Sequence, residues 1–145
     1  MAPRVIVAIC GLLLCAASPP RLPEVREFPL GFHGDAYVIW SEAGYPPLPV
    51  RAGKLVLHFP ADGVIITSTP SHFGWAKDEA YFYDPSGQKP LSPAHVPFAS
   101  NGEIKDSKRI MYYSTIFVGT DEEHRTGTLD ESKIHQLFEK LHPAT

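Results

Sequence analysis

The chain has 145 residues, a length typical of one domain, and its formal net charge of −3 argues against a basic surface for nucleic acid. Apolar residues make up 43% of the sequence, too many for a disordered chain, and 15 prolines interrupt it too often for a helical bundle. We therefore expect an all-β domain, mainly antiparallel and β-sandwich-like, with one C-terminal amphipathic α-helix. These properties do not specify a biochemical function.

The first 17 residues have the three-part pattern of an export signal. Arg4 supplies a positive charge, residues 5–14 form an apolar run, and residues 15–18 are small. The apolar run is too short to cross a bilayer, which needs about 20 residues. We predict a signal peptide over residues 1–17, cleaved after Ala17 or Ser18, and a periplasmic, envelope-associated or secreted protein. The alternative for this segment is an N-terminal strand or buried helix.

Both cysteines, Cys10 and Cys15, lie within the predicted signal, so a cleaved product would contain no thiol. Disulfides, thiolate nucleophiles and zinc sites with cysteine ligands are then excluded together. Cys15 also has some likeness to the acylated cysteine of a bacterial lipoprotein signal. Such signals resemble a pattern with Gly, Ala or Ser before the cysteine, whereas this sequence has Leu14. A lipid anchor at Cys15 is therefore the minor alternative, and it would change the location without changing the fold.

Residues 18–24 are rich in proline and polar side chains and are typical of a linker. Residues 25–145 are predicted to form a single β-rich domain that includes the C-terminal helix. No internal repeat or low-complexity tract interrupts them.

Short apolar runs predict the first strands of the domain. In residues 36–41 both faces of the predicted strand are aromatic or aliphatic. The next predicted strand, residues 54–59, has one apolar face, formed by Leu55, Leu57 and Phe59, and a second face formed by Lys54, Val56 and His58. Residues 60–63, Pro-Ala-Asp-Gly, then predict a hairpin turn into a strand at residues 64–67, because Pro fixes φ and Gly accepts positive φ.

A second hairpin is predicted around residues 84–87, whose sequence Asp-Pro-Ser-Gly has the residue types favoured by a type I turn. Residues 88–91 would be its return strand. Residues 92–109 contain two prolines, an Asn-Gly pair and several charges, and are typical of a long surface excursion. The longest strand candidate, residues 110–118, is rich in β-branched and aromatic side chains. One of its faces comprises Ile110, Tyr112, Ser114, Ile116 and Val118.

The last predicted element is a helix that packs on the sheet. Thr128 and Glu131 have the spacing of a capping box, and Pro143 ends the element. Its apolar face has the spacing of one helix side and comprises Ile134, Leu137, Phe138 and Leu141.

Familiar catalytic motifs are missing from the sequence. It has no glycine pattern of a nucleotide-binding loop, no zinc-protease or EF-hand signature, and no nucleophile elbow of a hydrolase. Seven histidines are many for this length, but none pairs with another at metal-ligand spacing. We accordingly predict no cofactor.

The tightest group of polar residues follows the strand end at Gly119. Asp121, Glu122, Glu123 and His124 are consecutive there, and the carboxylates could raise the pKa of the imidazole or share a cation with it. A hydrated turn before the helix is the favoured interpretation, because charge clusters in loops are usually solvated. Asp121, Glu123 and His124 are thus candidate metal ligands only in an alternative hypothesis.

Residues 71–79 combine two aromatic side chains, a histidine, a lysine and two carboxylates between strands, a mixture typical of binding loops. We predict an aromatic platform with flat, amphipathic faces for a ligand or partner. The alternative is that Trp75 and the tyrosines complete the core or cover a sheet face. The candidate ligand-binding residues are Trp75, Tyr81, Tyr83, His72, Lys77, Asp78 and Glu79.

Several short motifs occur in a recognisable order along the chain. They are GFHGDAYV (31–38), PPLPV (46–50), FPADG (59–63), TSTP (67–70), FGWAKDE (73–79) and FVGTDEE (117–123). Together they resemble a family of small exported bacterial proteins known only as a domain of unknown function. The resemblance implies export and a β-rich fold, and no known activity, ligand or catalytic residue. The family is associated with an aromatic residue at the position of His124, which weakens a metal role there.

Two hypotheses for the function follow. The preferred one is an exported, non-catalytic module of the bacterial envelope or extracellular space. It would bind an unknown protein or saccharide partner through residues 73–83, with no nucleic acid and no transmembrane helix after signal cleavage. The competing one is a cysteine-free hydrolase or metal-dependent enzyme, in which the loop after Pro70 and the end of the last long strand converge in one pocket. Its residues would be His72, Asp78, Glu79, Asp121, Glu123 and His124.

Overall fold

Two β-sheets form the framework of the domain in a computed structural model that describes residues 21–72, 74–127 and 130–144. The predicted signal peptide lies outside the described residues. The strands are β1 (Glu24–Pro29), β2 (Gly34–Trp40), β3 (Val50–Arg51), β4 (Lys54–His58), β5 (Val64–Ile66), β6 (Glu79–Tyr83), β7 (Ser92–Pro93), β8 (Phe98–Lys105) and β9 (Ile110–Val118), and the helices are α1 (Asp121–Thr126) and α2 (Ser132–Leu141).

Both sheets are mixed in strand direction. The large sheet has the order β3-β4-β1-β6-β7, and the small sheet has the order β5-β2-β9-β8. In the large sheet β1 runs parallel to both β4 and β6, and in the small sheet β2 runs parallel to β5. The other pairs, β2–β9, β3–β4, β6–β7 and β8–β9, are antiparallel. The expected β-rich, sandwich-like fold with a C-terminal helix is confirmed.

Strand β2 explains why both faces of its sequence are apolar. Its alternate residues Ala36, Val38 and Trp40 face the large sheet and belong to the core between the sheets. The intervening Tyr37 and Ile39 belong to a second cluster with α2. Because β2 is covered on both sides, every residue from Ala36 to Trp40 is buried.

Helix α2 packs on the outer face of the small sheet. Its residues Ile134, Leu137 and Phe138 are buried, and they contact Ile39 and Met111 of the sheet. Burying side chains of this size contributes about 1.5–3 kcal/mol each. The predicted helix and its apolar face are confirmed, whereas Thr128, one half of the predicted capping box, lies outside the described residues.

The predicted hairpin at residues 60–63 is wrong. The turn itself forms, because the Gly63 N–H donates to the Pro60 carbonyl at 2.9 Å. The chain, however, leaves β4 of the large sheet and enters β5 of the small sheet, which pairs with β2. A local turn sequence reverses the chain without determining which sheet receives the next strand.

The predicted surface excursion over residues 92–109 is also wrong. Its central part is β8, which pairs with β9 along its whole length, from Phe98 opposite Phe117 to Lys105 opposite Ile110. The preceding turn at residues 84–87 is confirmed by a 2.8 Å bond from the Gly87 N–H to the Asp84 carbonyl. Its return strand is the short β7 rather than residues 88–91. The polar sequence of β8 suits an edge strand, because an edge strand pairs with a neighbouring strand along one edge and exposes its other edge to solvent.

Candidate functional site

A small cavity lies between the two sheets, at the end of the sandwich where β1 begins. Its volume is about 240 Å³, and its walls come from β1, β8, β9 and the loop that precedes β6. We call it the end pocket. The lining residues that concern us are Arg21, Glu24, Arg26, His72, Trp75, Asp78, Asn101 and Ser114.

The polar lining follows from the alternation of side chains along the strands. Glu24, Arg26 and Phe28 lie on the same face of β1, and Phe28 is completely buried in the core. On β9, Ser114 likewise lies on the same face as the core residue Ile116. The positions that face the core thus change from apolar to polar toward this end of the sandwich.

Four charged side chains form an ionic cluster in the end pocket. Arg21 binds both carboxylate oxygens of Asp78, at 2.9 Å and 2.6 Å. Arg26 donates to Glu24 at 2.6 Å and to Asp78 at 3.0 Å. The four side chains are only 9–17% exposed. Two positive charges therefore balance two negative charges, with the two-pronged geometry in which arginine binds carboxylates most strongly.

The ionic cluster keeps Asp78 charged. Burial alone would raise the pKa of the Asp78 carboxyl. Hydrogen bonds from Arg21 and the Glu24 backbone N–H, together with the charges of Arg26 and Arg21, outweigh burial, and the pKa lies below its ordinary value. The bond to Asp78 also raises the pKa of Arg21. Asp78 is therefore suited to holding the arginines in place, and not to acting as a general acid near neutral pH.

A chain of polar groups continues the end pocket toward the core. The Trp40 indole N–H donates to the Ser114 hydroxyl at 2.8 Å, and that hydroxyl donates to the side-chain carbonyl of Asn101. The His72 ring lies edge-on to Trp40, with 6.1 Å between ring centroids. Its Nε2 is enclosed and has no hydrogen-bond partner among the described residues. An enclosed polar atom of this kind costs about 1–3 kcal/mol until it is paired.

Trp75 lies beside the end pocket with 85% of its surface exposed, so it is not a core residue. The backbone next to it is fixed. The Arg21 side chain donates from Nε to the Gly74 carbonyl at 2.9 Å, and Gly74 has a φ of 130°, a value that suits glycine. The loop is also tied down at Asp78. An exposed indole is thus presented on a loop anchored at both ends.

The structure separates the predicted tyrosines from Trp75. Tyr81 and Tyr83 alternate with Ala80 and Phe82, which pack toward the core, so both tyrosines face outward on the large sheet. The Tyr81 hydroxyl donates to Glu79 at 3.1 Å. The predicted aromatic platform is therefore divided between the end pocket and the outer face of this sheet.

Two further contacts occur on the outer face of the large sheet. Lys54 binds the other carboxylate oxygen of Glu79 at 2.7 Å, and its hydrogen bond is the main reason why the pKa of Glu79 is lowered. The Tyr83 ring stacks on His58 with 4.2 Å between centroids. Lys77, the remaining ligand-binding candidate, is exposed on the loop and does not line the end pocket. His72, Trp75 and Asp78 are the candidates that the structure brings together.

The metal-site candidates lie on α1 and face different partners. Asp121 accepts from His95 at 3.0 Å, and Glu123 pairs with His33 at 3.1 Å. Glu123 also forms a capping box with Thr120, and the Thr120 backbone N–H is the main reason why the pKa of Glu123 is lowered to about 2. In the described ranges, no three His, Cys, Asp or Glu side chains are grouped so that they could hold a metal ion.

His124 and Asp78 lie on opposite faces of the small sheet. The His124 ring stacks on Phe98 at 4.4 Å and lies 5.5 Å from Phe117, and these two residues are paired opposite each other in β8 and β9. Asp78 lies in the end pocket, which is lined by the opposite face, including Ser114. The convergence that the enzyme hypothesis requires is not seen.

A second, more open cleft of about 620 Å³ lies elsewhere on the molecule. Apolar side chains of both sheets line it, including Phe82 and Val118. Histidines that pair with the acidic residues of α1 also line it, but these pairs are largely exposed to solvent. Exposed ion pairs contribute little to stability, and the cleft contains none of the binding candidates from the loop.

Five residues of the end pocket were not predicted as site residues from the sequence: Arg21, Glu24, Arg26, Asn101 and Ser114. One signal was available on β1, where two charged residues precede Phe28 at the spacing of a single strand face. A serine among the apolar residues on one face of β9 was a second signal. Arg21 lay within the predicted linker, and nothing local pairs it with a residue 57 positions away.

Comparisons with known proteins support the fold and the family. The chain matches a family described as "Family of unknown function (DUF6843)" over residues 23–127. A 2.75 Å crystal structure of a Bacillus anthracis protein, named a putative lipoprotein, aligns with a TM-score of 0.67 at 22% sequence identity. The alignment covers 83% of this chain and 94% of that chain, and at this identity it shows the fold alone. A search of curated proteins found no match.

In the part of the chain that the structure describes, no helix is long and apolar enough to cross a membrane. The family match covers well over half of the sequence, including β1 to β9 and α1. The resemblance seen in the sequence motifs is thereby confirmed, and this chain belongs to the family of unknown function DUF6843.

Proposed function

We propose that the protein is an exported, non-catalytic binding module whose ligand occupies the end pocket against Trp75. The observation behind this proposal is a tryptophan that is 85% exposed beside a polar cavity, on a loop fixed by Arg21 and Asp78. Tryptophan is among the residues that contribute most to binding, because its large, rigid ring loses little conformational entropy. A loop that is already ordered reduces the entropic cost of binding further.

The sequence and the structural neighbour support export. Residues 1–17 have the composition of a signal peptide, and the Bacillus anthracis protein of the same fold is named a putative lipoprotein. An envelope or extracellular location is consistent with both. Cleavage after Ala17 or Ser18 remains our prediction, with a lipid anchor at Cys15 as the alternative.

The electrostatics of the end pocket support binding rather than catalysis. A general acid or base works best when its pKa lies near the working pH. Asp78 has a lowered pKa and is held by two arginines, and Glu24 is held by Arg26. The carboxylates of this pocket are thus already engaged as structural anions.

Export can be tested with the full chain carrying a C-terminal tag, expressed in a bacterial host. We expect the protein in the envelope or medium fraction. Its intact mass should be that of a chain whose first residue is residue 18 or 19. The mass of a chain that begins at an acylated Cys15 would instead support export by the lipoprotein route. An unprocessed chain that stays in the cytoplasm would contradict export.

Binding can be tested by thermal unfolding of the processed protein against four classes of probe: neutral sugars, dipeptides, inorganic phosphate and divalent cations with an EDTA control. A ligand that binds only the folded protein must raise its melting temperature. We expect one class to do so in the wild type and in Tyr45→Ala, a control at a surface aromatic outside the end pocket. The same probe should have little effect on Trp75→Ala. If no probe gives a shift that depends on Trp75, the binding proposal is wrong.

A further inference from the structure

The polar groups of the end pocket indicate the charge of its ligand. Arg21 and Arg26 balance Glu24 and Asp78 within the ionic cluster. An anion would meet two carboxylates, and a cation would meet two guanidinium groups. Since neither sign of charge is favoured, the pocket suits a ligand without net charge.

The end pocket keeps hydrogen-bonding groups of both kinds available, with donors on Arg26 and Asn101 and an acceptor at Glu24 Oε1, which receives no hydrogen bond from the described residues. The bonds made by the described residues use Nε and Nη2 of Arg26, but not Nη1. Asn101 uses its side-chain oxygen to accept from Ser114, and its amide nitrogen donates to none of the described residues. His72 Nε2 is unpaired among them and either donates or accepts, depending on its tautomer. A matching ligand therefore carries oxygen acceptors for Arg26 and Asn101 and can also donate to Glu24, a combination that hydroxyl groups provide.

Trp75 adds a requirement for shape. An exposed indole presents a flat apolar face, and a ligand that covers it needs an apolar face of its own. The volume of about 240 Å³ is smaller than that of typical sites for drug-sized molecules, about 300–1,000 Å³. The pocket therefore accommodates a single ring rather than an extended chain.

We infer that the end pocket binds one sugar residue of a neutral saccharide. A pyranose ring has an apolar C–H face that can stack on Trp75 and a rim of oxygen atoms that accept hydrogen bonds from Asn101 and Arg26. It has no net charge and consists of one ring. This inference rests on the proposed function, and it assigns the ligand class for the same pocket.

The test measures binding of glucose, galactose, N-acetylglucosamine and its β-1,4-linked dimer to the processed protein by isothermal titration calorimetry. Ala-Ala dipeptide and inorganic phosphate serve as the competing classes. Iodide quenching of fluorescence gives a second readout, because a stacked sugar shields Trp75, whereas Trp40 is buried and is quenched little in either state.

Two substitutions test the geometry. Trp75→Ala removes the flat face, and Asn101→Asp keeps the side-chain size and the acceptor for Ser114 while it removes both amide N–H donors and adds one negative charge, which has little Coulombic effect on a neutral sugar. We expect each to weaken sugar binding at least about tenfold, with an unchanged far-UV spectrum and melting temperature. Tyr45→Ala should bind as the wild type does.

The outcomes separate the inference from the proposed function. Sugar binding that is lost in both variants supports the inference. If no sugar binds but the dipeptide or phosphate binds in a manner that depends on Trp75, the saccharide assignment is wrong and the binding module stands. If no sugar, dipeptide or phosphate binds, the saccharide assignment is wrong, and the binding module is wrong as well if the divalent cations of the thermal unfolding test also have no effect. Sugar binding that survives in both variants places the site elsewhere and overturns the inference.

Discussion

Arg21 and Asp78 form a two-pronged ion pair across 57 residues of sequence, with Nη1–Oδ1 at 2.9 Å and Nη2–Oδ2 at 2.6 Å. The pair joins the segment before β1 to the loop that presents Trp75. Arg21 also holds the Gly74 carbonyl, so one side chain fixes both ends of this loop. The order of the candidate binding surface therefore depends on a residue that precedes β1.

We predict that Asp78→Asn destabilises the protein by about 1.5–3 kcal/mol, the usual contribution of hydrogen bonds to charged groups. The substitution leaves Arg21 and Arg26 without their shared carboxylate. Urea unfolding measures the effect. Lys105→Ala is the control, because it breaks an exposed ion pair with Glu103 and should change the stability by less than about 1 kcal/mol. Equal effects of the two substitutions would contradict this prediction.

The contribution of Asp78 should depend on pH. Its folded-state pKa lies below the ordinary value of 3.8, so its ionised form stabilises the folded state. This stabilisation is complete well above pH 3.8 and is lost as the pH falls through the lower, folded-state pKa. We expect the difference in unfolding free energy between wild type and Asp78→Asn to be smaller at pH 3 than at pH 7. A difference that stays constant or grows toward low pH would count against the ionic cluster.

Replacement of Trp75 should leave the fold intact. Because the side chain is 85% exposed, Trp75→Ala is expected to change the unfolding free energy by no more than about 0.5 kcal/mol. Far-UV circular dichroism and urea unfolding measure this. Removal of a buried aromatic residue, by contrast, costs about 3–5 kcal/mol, which we expect for Phe138→Ala at the contact between α2 and the small sheet. Loss of cooperative unfolding in Trp75→Ala would show that the indole is part of the core.

Two glycines with similar backbone angles should differ in their tolerance of a side chain. Gly63 has a φ of 70° and Gly87 has a φ of 72°, so alanine is strained at both. A Cβ at Gly63 would also lie 2.7 Å from the Phe32 ring, whereas a Cβ at Gly87 has no atom within 4 Å. We expect Gly63→Ala to destabilise the protein by about 1–3 kcal/mol more than Gly87→Ala in thermal or urea unfolding. Equal losses would mean that Phe32 moves aside without cost.

The sequence predicts a strand or helix well where the spacing of its apolar residues matches the faces that it buries. The two apolar faces of β2 and the apolar face of α2 were visible because each side chain's environment follows the period of its own element. Strand β8 was missed because its strand geometry comes from pairing with β9, and its own residues include the turn-like Asn101-Gly102. Local sequence cannot show that a distant strand provides the missing hydrogen bonds.

The same limit applies to the candidate site. The unusual composition of the loop around Trp75 indicated an exposed binding segment, and His72, Trp75 and Asp78 do line one pocket. The partners of Asp78 were not predictable, because Arg21 and Arg26 lie more than 50 residues away. The tyrosines were grouped with Trp75 because they are close in sequence, but the alternation along β6 directs them to the outer face.

Strand β1 comes first among the strands of the described residues, and it is the middle strand of the large sheet, between β4 and β6. Its residue Val25 pairs with Val56 on one side and Glu79 on the other. Neither neighbour exists when β1 emerges during synthesis, so the large sheet cannot assemble until the chain has been made at least through β6. Contacts this distant in sequence slow folding, because closing the long intervening loop costs conformational entropy before the contacts can stabilise the sheet. The topology therefore delays completion of the large sheet until late in synthesis, which is consistent with the export that we propose.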